Sequence, residues 1–380
     1  MRKGIDNILK HRSILDGKRI GLITSISGVD NQMNSTIDIL HKHFNLQALF
    51  GPEHGVRGDK AAGQLVEDYV DEATGVPVYS LYRKDAKRMT EEMLNQVDVV
   101  VYDIQDLGVR YYTFISTLIY CMEDCAKAGK QFVVFDRPNP LGGEIVEGNV
   151  LESQYQSFVG AYPLPVRYGL TPGELALMVK EEKRLDCDLT IISCEGWKRN
   201  EMFPQTDQIW VMPSLGIPRF ETALLYPGTC LVEGTNLSEG RGTSCPFELV
   251  GAPFIKALEL VSRLKEKGLP GVVFTPAYFT PSSSKHQGIP CEGLHIHVTD
   301  YRFFESYKTG ITILETIRDL YPKEFEFTKP IKEGNRPFIS LLSGNHAFEQ
   351  EHWTCEEILE RNQQELEEFR KKKIKYHIYD

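Results

Sequence analysis

The first half of the chain alternates short apolar runs with stretches whose apolar side chains recur every three or four positions. The short runs predict buried strands, and the recurring positions predict helices. The predicted strands are residues 19–24, 46–50, 76–81, 97–102, 132–135 and 189–192. The predicted helices are residues 34–44, 89–94, 112–128 and one that opens at 171–174. This alternation indicates an α/β fold with a Rossmann-like, mainly parallel sheet that carries helices on both faces.

The second half of the chain is less regular. The pattern loosens over residues 196–226, and a crossover is marked by Pro204, Pro213, Pro218 and Pro227. Beyond it the pattern predicts helices at 254–267, 311–321 and 356–373 and strands at 272–275 and 294–298. At about 150 residues per domain, the length suggests two domains. We predict a Rossmann-like domain over 1–225 and a smaller α+β domain over 226–380, with the boundary set to within about 20 residues.

Charge and composition exclude several classes of protein. The 43 basic and 53 acidic residues give a formal net charge of −10, which disfavours a nucleic-acid partner. No stretch approaches the ~20 apolar residues of a membrane-spanning helix. The amino terminus lacks the apolar core of a signal peptide, so on the sequence given we expect a cytoplasmic protein, exported only if a leader was removed. The sequence leaves the oligomeric state open.

Motifs for metals and cofactors are missing from the sequence. The eight cysteines are scattered without a CxxC pair, which disfavours a zinc site and a disulfide framework. There is no phosphate-binding loop, and no G-x-G-x-x-G follows the first predicted strand. We therefore predict neither a metal nor a cofactor.

Three predicted strands run directly into unusual polar segments, at residues 51–58, 103–112 and 136–143. Ligands of open parallel sheets bind outside the carboxyl ends of the strands. If these three strands are close in the sheet, their polar segments converge on one rim. This convergence is the strongest functional signal in the chain.

Glu53 and His54 follow one of these strands and sit between glycines, which lets the backbone turn sharply and aim both side chains away from the sheet edge. A carboxylic acid at a partly buried rim can serve as a general acid. The structural alternative is that Glu53 caps a helix or pairs with Arg57. For His54 the alternative is a hydrogen bond within the turn.

The next segment combines two carboxylates, Asp103 and Asp106, with Arg110, Tyr111 and Tyr112. The carboxylates are three residues apart at a strand end, where they could hold a water, a sugar hydroxyl or a cation. The tyrosines could stack on sugar faces. The alternatives are that an aspartate caps the following helix and that the tyrosines pack beneath the rim.

Two further segments have the same ambiguity. Asp136 and Arg137 precede a proline-stiffened loop with Asn139, and their structural alternative is a buried ion pair. Glu174 stands three residues after Thr171 and forms a capping box with it, so we give it a structural role. In the second half, residues 233–243 form a glycine-rich loop with no apolar period. Its polar side chains favour contact with a substrate over a plain surface loop, and they include Glu233, Asn236, Glu239 and Arg241.

Taken together, six stretches of this sequence resemble the exo-β-N-acetylmuramidase family of the NamZ type, long described as an uncharacterised domain family. The resemblance covers nearly the whole chain. The matching stretches are GPEHGVRG (51–58), YDIQDLGVRYYT (102–113), FDRPNPLGG (135–143), LPVRYGLTPGELA (164–176), ALLYPGTCLVEGTNLSEGRGT (223–243) and GAPF (251–254).

The resemblance implies a site in a cleft between two domains and hydrolysis of terminal β-linked N-acetylmuramic acid from the non-reducing ends of peptidoglycan fragments. The substrate would be a muropeptide or a peptidoglycan disaccharide. Glycoside hydrolysis commonly uses two carboxyl groups. Glu53 is the candidate acid, and Asp103 or Asp106 the second carboxylate. If the 2-acetamido group of the substrate attacks its own anomeric carbon, one acid and one orienting carboxylate suffice.

The lactyl carboxylate of muramic acid calls for a cationic partner, for which the candidates are Arg110, Arg137 and Arg241. The complete set of predicted substrate contacts is His54, Arg57, Arg110, Tyr111, Tyr112, Asp136, Arg137, Asn139, Glu233, Asn236, Glu239 and Arg241. Two rival hypotheses remain. One is a protein that binds muropeptides or another acidic sugar without cleaving it. The other is a deacetylase or amidase, although no metal-ligand spacing or activated nucleophile supports it.

Overall fold

The computed structural model describes residues 1–58, 63, 67–84, 86–330, 335–350 and 353–380. The larger sheet contains β1 (Arg19–Thr24), β2 (Asn45–Gly51), β3 (Tyr69–Val70), β4 (Pro77–Ser80), β5 (Val99–Asp103), β6 (Gln131–Phe135) and β7 (Leu189–Ile192). Their order across the sheet is β3-β4-β2-β1-β5-β6-β7. All neighbours are parallel except β3 and β4. The predicted α/β fold with a mainly parallel sheet is therefore confirmed.

Helices cover both faces of this sheet. They are α1 (Thr36–His43), α2 (Glu91–Asn95), α3 (Phe114–Lys127) and α4 (Pro172–Glu182), with a 3₁₀ helix at Gly4–Ile14. Side chains alternate across a strand, so β1 contributes to two separate cores. Its Leu22 packs with Ile37 of α1 and Ile8 of the 3₁₀ helix. Its Ile23 belongs to the core that contains Leu118 of α3.

The start of α4 has the structure that its sequence predicts. The Thr171 hydroxyl accepts a hydrogen bond from the Glu174 amide, and the Glu174 carboxylate accepts one from the Thr171 amide. Arg199 forms an ion pair with the other oxygen of Glu174 at 2.5 Å. The structural role given to Glu174 is confirmed, and a cap of this kind contributes about 1 kcal/mol.

The second half contains a smaller antiparallel sheet in the order β8-β10-β9, surrounded by helices. Its strands are β8 (Leu249–Ala252), β9 (Val272–Phe279) and β10 (Cys291–Val298). Its helices are α5 (Phe220–Thr229), α6 (Ala257–Glu266), α7 (Ser306–Leu320), α8 (Phe338–Ser343), α9 (Cys355–Arg361) and α10 (Gln363–Lys373). Shorter 3₁₀ turns lie at Ser153–Tyr155, Phe203–Gln205, Cys230–Gly234, Ala347–Glu349 and Ile374–Tyr376.

Two helices depart from the pattern-based prediction. Helix α5 begins inside the stretch predicted as a crossover. The sequence pattern does not reveal this helix, because nearly all of its side chains are buried and it shows no amphipathic period. Helix α5 also spans residue 225, where we predicted the boundary between the two domains. The division of the chain at this residue stays a prediction. The single helix predicted at 356–373 is two helices. The Asn362 side chain donates to the Ile358 carbonyl at 2.5 Å and to Asn149, which interrupts the helix at this residue.

The end of the chain returns to the first half. The Lys373 ammonium donates to the Gly169 carbonyl at 3.0 Å, and the Tyr379 hydroxyl donates to Asp136 at 2.5 Å. Among the described residues, no helix combines the length and apolar character needed to cross a membrane.

Candidate active site

A cleft of about 420 Å³ opens where β2 and β5 of the larger sheet end, and its walls come from both halves of the chain. The first half contributes Glu53, His54, Gly63, Tyr82, Lys87, Tyr111, Tyr112, Thr113, Phe114, Phe158, Val159, Ser214, Gly216 and Ile217. The second half contributes Tyr226, Glu233, Arg241, Phe247 and Phe338. Two of the three predicted polar segments, those after β2 and β5, therefore contribute to one cleft.

Glu53 presents a carboxyl group to this cleft from the turn that follows β2. The turn is tight, because His54 and Gly55 both have positive φ angles, of 74° and 73°. The Glu53 Oε2 atom accepts a hydrogen bond from the Thr113 hydroxyl at 2.5 Å, and Oε1 accepts one from the Gly63 amide at 2.9 Å. These two bonds fix the orientation of the carboxyl group.

The neighbours of Glu53 separate into two environments. The His54 ring lines the cleft and meets the Phe114 ring edge-on at 6.1 Å. The Arg57 guanidinium forms an ion pair with Asp71 at 2.9 Å. The alternative in which Arg57 pairs with Glu53 is therefore not what the structure shows, and Arg57 lies outside the lining of the cleft.

A second carboxylate, Glu233, faces the cleft from the other half of the chain. Its Oε1 atom lies 2.9 Å from Nη2 of Arg241 and 3.0 Å from Nε. Arg241 also lies 3.4 Å from Glu239, and its guanidinium carbon lies 4.8 Å from the centroid of the Phe247 ring. Burial alone would lower the pKa of Arg241, but the two carboxylates outweigh it and raise the pKa. Arg241 is therefore a permanent cation.

Aromatic side chains form the floor of the cleft. Tyr226 lies edge-on to Tyr111, Tyr112 and Phe247, with ring centroids 5.6, 5.9 and 4.8 Å away. The Tyr111 hydroxyl donates to the Pro227 carbonyl. The Tyr112 hydroxyl lies close to Ser214 but is buried without a hydrogen-bond partner of good geometry among the described residues. Burial raises the pKa of Tyr112, so this hydroxyl stays protonated.

Beside this cleft lies a second one of about 670 Å³, which shares His54, Gly216, Glu233, Arg241 and Phe338 with it. Glu239 and Lys285 line only the second cleft, and they form an ion pair at 2.9 Å. The two clefts therefore form one groove that runs from the rim of the larger sheet onto the second half of the chain.

Asp103 and Arg137 lie beneath the rim and not in the cleft. They form an ion pair with distances of 2.5 and 3.0 Å, and both side chains are fully buried. The Thr36 hydroxyl also donates to Asp103. The buried pair therefore joins the ends of β5 and β6, which accounts for both residues without catalysis.

Asp106 is also buried away from the cleft. Its Oδ2 atom accepts hydrogen bonds from the Gly108 amide at 2.6 Å and from the Tyr168 hydroxyl. In the part of the chain that the structure describes, its Oδ1 atom has no hydrogen-bond partner. Burial raises the pKa of Asp106 to about 6, and these hydrogen bonds only partly offset it. Asp106 therefore organises a turn under the rim.

Arg110 joins distant parts of the backbone. It donates to the carbonyl groups of Asn149 and Leu164 at 2.5 Å, of Leu342 at 2.7 Å and of Ser343 at 2.9 Å. Every one of these partners is a neutral backbone group, and the side chain is fully buried. Because Arg110 is fully buried and does not line the cleft, it is not placed to bind a substrate carboxylate.

Three further residues that we predicted to contact the substrate form hydrogen bonds to neighbouring loops of the protein instead. Asp136 accepts from the Gly173 amide at 2.8 Å and from the Thr171 hydroxyl at 2.7 Å, and burial raises its pKa to about 6. Asn139 donates to the Leu170 carbonyl at 3.0 Å. Asn236 donates to the Glu324 carbonyl at 2.7 Å. All three side chains lie outside the lining of the cleft.

Models for both parts of one enzyme family match this chain. The model for the N-terminal part of the exo-β-N-acetylmuramidase NamZ matches residues 20–221, and the model for its C-terminal part matches residues 224–379. The chain belongs to the NamZ family. The two matched parts contribute the two walls of the cleft.

Individual members of the NamZ family and their structural relatives are similar over the full length. The peptidoglycan β-N-acetylmuramidase NamZ of Bacillus subtilis (strain 168) is 48% identical over 385 residues, which cover 100% of this chain and 91% of the relative. Two DUF1343 family proteins of Bacteroides fragilis NCTC 9343 have solved crystal structures, and each match covers 100% of this chain and 99% of theirs. One is 37% identical with a TM-score of 0.90, and the other is 30% identical with a TM-score of 0.77.

Several residues of this NamZ-family cleft were not predicted from the sequence. They include Tyr82, Lys87, Phe158 and Ser214, which come from segments outside the strand-end motifs. The Lys87 ammonium donates to the Arg83 carbonyl at 2.7 Å. Tyr226 lies within the family motif at residues 223–243, and this position could have identified it as a site residue. We did not predict a functional role for its side chain from the sequence.

Two other features lie apart from the cleft. Among the described residues, Cys245, Glu248 and His295 place one ligand atom each within 4.8 Å of one another. Glu248 already accepts hydrogen bonds from Arg219 and Thr222, so we assign no metal to this group. A separate groove of about 520 Å³ lies between the N-terminal 3₁₀ helix and α1, and its lining contains none of the predicted site residues.

Proposed function

We propose that this protein is an exo-β-N-acetylmuramidase, a glycoside hydrolase that releases terminal β-linked N-acetylmuramic acid from the non-reducing ends of peptidoglycan fragments. One observation carries the proposal. The oriented carboxyl group of Glu53 and a second carboxylate, Glu233, line one cleft whose two walls come from the two parts of a NamZ-family chain.

Glu53 is the proton donor in this proposal. The bond between the sugars breaks more easily when the departing oxygen receives a proton, and a positioned carboxylic acid supplies it. The Thr113 hydroxyl holds Glu53 in either protonation state, because a hydroxyl can donate to the carboxylate or accept from the acid. The same side-chain position therefore serves before and after proton transfer.

We assign the second carboxyl role to Glu233 in place of Asp103 and Asp106. Asp103 is committed to Arg137, and Asp106 is buried beneath the rim, whereas Glu233 lines the cleft. A carboxylate there stabilises the positive charge that develops at the anomeric carbon. Two routes remain open, direct attack by a carboxylate on the anomeric carbon and attack by the 2-acetamido group of the substrate. Both routes need a second carboxylate beside the sugar.

The small volume of the cleft supports removal of one sugar at a time. Its volume of about 420 Å³ is near the lower end of the range of about 300–1,000 Å³ for ligand pockets. The Tyr111, Tyr112 and Tyr226 rings form an apolar floor on which a sugar can lie. The adjoining groove gives the rest of a muropeptide or disaccharide a place to lie.

The test compares two chromogenic substrates that differ only in the lactyl group. We expect the purified protein to hydrolyse an aryl β-N-acetylmuramide, with weak or no action on the matching β-N-acetylglucosaminide. A folded protein that binds the muramide but cleaves neither substrate, nor muropeptides, would support the rival hypothesis of a binding protein. Loss of activity after dialysis against EDTA would instead favour a metal-dependent hydrolase.

A further inference from the structure

N-acetylmuramic acid differs from N-acetylglucosamine by a lactyl ether that ends in a carboxylate. An enzyme that selects the first sugar needs a cation at the place where this carboxylate lies. The following inference rests on the proposed function and concerns which residue supplies that cation. Arg110 and Arg137 cannot do so, because both are fully buried on other partners outside the cleft.

Arg241 lines the cleft, but its charge is already balanced. It contacts Glu233 at 2.9 Å and Glu239 at 3.4 Å, and Glu239 also contacts Lys285 at 2.9 Å. This group of two carboxylates and two cations is neutral as a whole. A substrate carboxylate placed beside Arg241 would also meet Glu233 and Glu239, and like charges repel.

Lys87 lies on the wall contributed by the first half of the chain, and unlike Arg241 it is not paired with a carboxylate among the described residues. Within the described part of the chain its ammonium forms no ion pair, and its hydrogen bond goes to the neutral Arg83 carbonyl at 2.7 Å. The ammonium lies 3.3 Å from the centroid of the Tyr82 ring and 5.8 Å from that of Phe158. These two rings hold the cation on an apolar wall, where an ion pair with a ligand is stronger than in water.

We propose that Lys87 binds the lactyl carboxylate of N-acetylmuramic acid and so selects this sugar over N-acetylglucosamine. An ammonium on a partly buried wall gains from an anion, because burial disfavours its charge: burial lowers the pKa of Lys87, and Glu53 opposes this effect. Two of its three N–H groups are not used by the Arg83 carbonyl.

The position of Lys87 relative to Glu53 gives this contact a second consequence. Both line the same cleft, and the negative charge of Glu53 stabilises the charge of Lys87. When Glu53 carries the proton that it donates, Lys87 is left as an unbalanced cation. The substrate carboxylate then restores charge balance on this wall in the state that is ready for catalysis.

The experiment uses the full chain and two aryl β-N-acetylmuramides, one with a free lactyl carboxylate and one with its methyl ester. For the wild type we expect esterification to lower kcat/KM by about 10- to 100-fold, the effect of losing a charge-assisted hydrogen bond. Lys87→Met should lower kcat/KM for the free acid by a similar factor, mainly through KM, and should make the enzyme insensitive to esterification. Lys87→Arg should keep most of the preference for the acid.

Lys84→Met is the matched control, because Lys84 lies three residues away and is exposed. It should behave as the wild type. The proposal is overturned if Lys87→Met keeps the wild-type preference for the acid, or if it lowers hydrolysis of acid and ester equally, which indicates a structural role. A folded wild type that hydrolyses neither muramide contradicts the proposed function itself. The two failures are therefore distinguishable.

Discussion

The polar side chains at the strand ends divide into two sets. Glu53 and Tyr112 face the cleft, whereas Asp103, Asp106 and Arg137 lie below it on protein partners. The lower set supports the upper one, because the ion pair of Asp103 with Arg137 fastens the end of β5, from which one cleft segment emerges, to the end of β6. Breaking a buried pair of this kind by removing one partner typically costs about 3–5 kcal/mol.

At the residue scale, Asp106 offers a test of this division. Burial raises its pKa to about 6, against 3.8 in the unfolded chain. A carboxyl group whose folded-state pKa is raised destabilises the fold once it ionises, so this cost is absent below about pH 4 and complete above about pH 6. Because only the wild type bears this ionisation cost, the free energy of unfolding of Asp106→Asn should rise relative to that of the wild type by up to about 3 kcal/mol between pH 4 and pH 7.5.

Denaturant unfolding of both proteins from pH 7.5 down to pH 4 measures this effect. The advantage of the variant should shrink as the pH falls from 6 toward 4, while its hydrolysis of an aryl muramide stays within about twofold of the wild type. A loss of activity of 100-fold without loss of stability would return Asp106 to the catalytic set.

At the scale of elements, the last residues of the chain fasten the second half onto the sheet of the first. The Tyr379 hydroxyl donates to the buried Asp136, which follows β6, and accepts from the Cys194 amide at 3.0 Å. The Ile378 amide donates to Glu174 at the start of α4 at 2.9 Å. The tail therefore stabilises the same rim that holds the cleft.

Tyr379→Phe removes the donor to Asp136 and leaves this buried carboxyl short of one partner. We expect the free energy of unfolding to fall by about 1–3 kcal/mol, the usual cost of an unsatisfied buried polar group. Thermal unfolding measures the change. Tyr278→Phe serves as the control, because Tyr278 is 65% exposed, and it should leave Tm unchanged. Equal Tm values for wild type and Tyr379→Phe would show that the tail does not fasten the rim.

The sequence predicts the elements of the larger sheet well, because continuous apolar strands and amphipathic helices leave strong periodic patterns. It misses α5, whose side chains are buried on nearly all sides, and the break at Asn362, which depends on a side chain from another part of the chain. At the site it finds Glu53, Glu233 and Arg241. It cannot separate these from Asp103, Asp106 and Arg110, because a polar residue at a strand end can face the cleft or the protein beneath it.

At the scale of the whole molecule, a net charge of −10 gives no general attraction for an anionic sugar. Capture of the substrate must then depend on a local cation within the cleft. The cleft itself exists only where the two halves meet, since Glu53 and Lys87 come from one and Glu233 and Arg241 from the other. Catalysis is therefore a property of the assembled chain.

The central claim is that Glu53 protonates the departing sugar oxygen in this cleft. The most direct test measures release of N-acetylmuramic acid by Glu53→Gln from two substrates, a disaccharide with N-acetylglucosamine as the leaving group and a muramide of para-nitrophenol. Glu72→Gln, at an exposed site outside the lining of the cleft, is the matched control, and Tm verifies that both variants are folded.

The expected result is a loss of at least ~10²-fold on the disaccharide, whose departing alkoxide needs the proton. The loss should be clearly smaller on the para-nitrophenyl substrate, because a nitrophenolate leaves with little assistance. Glu72→Gln should match the wild type on both. Wild-type turnover of the disaccharide by folded Glu53→Gln would contradict the assignment of Glu53 as the acid.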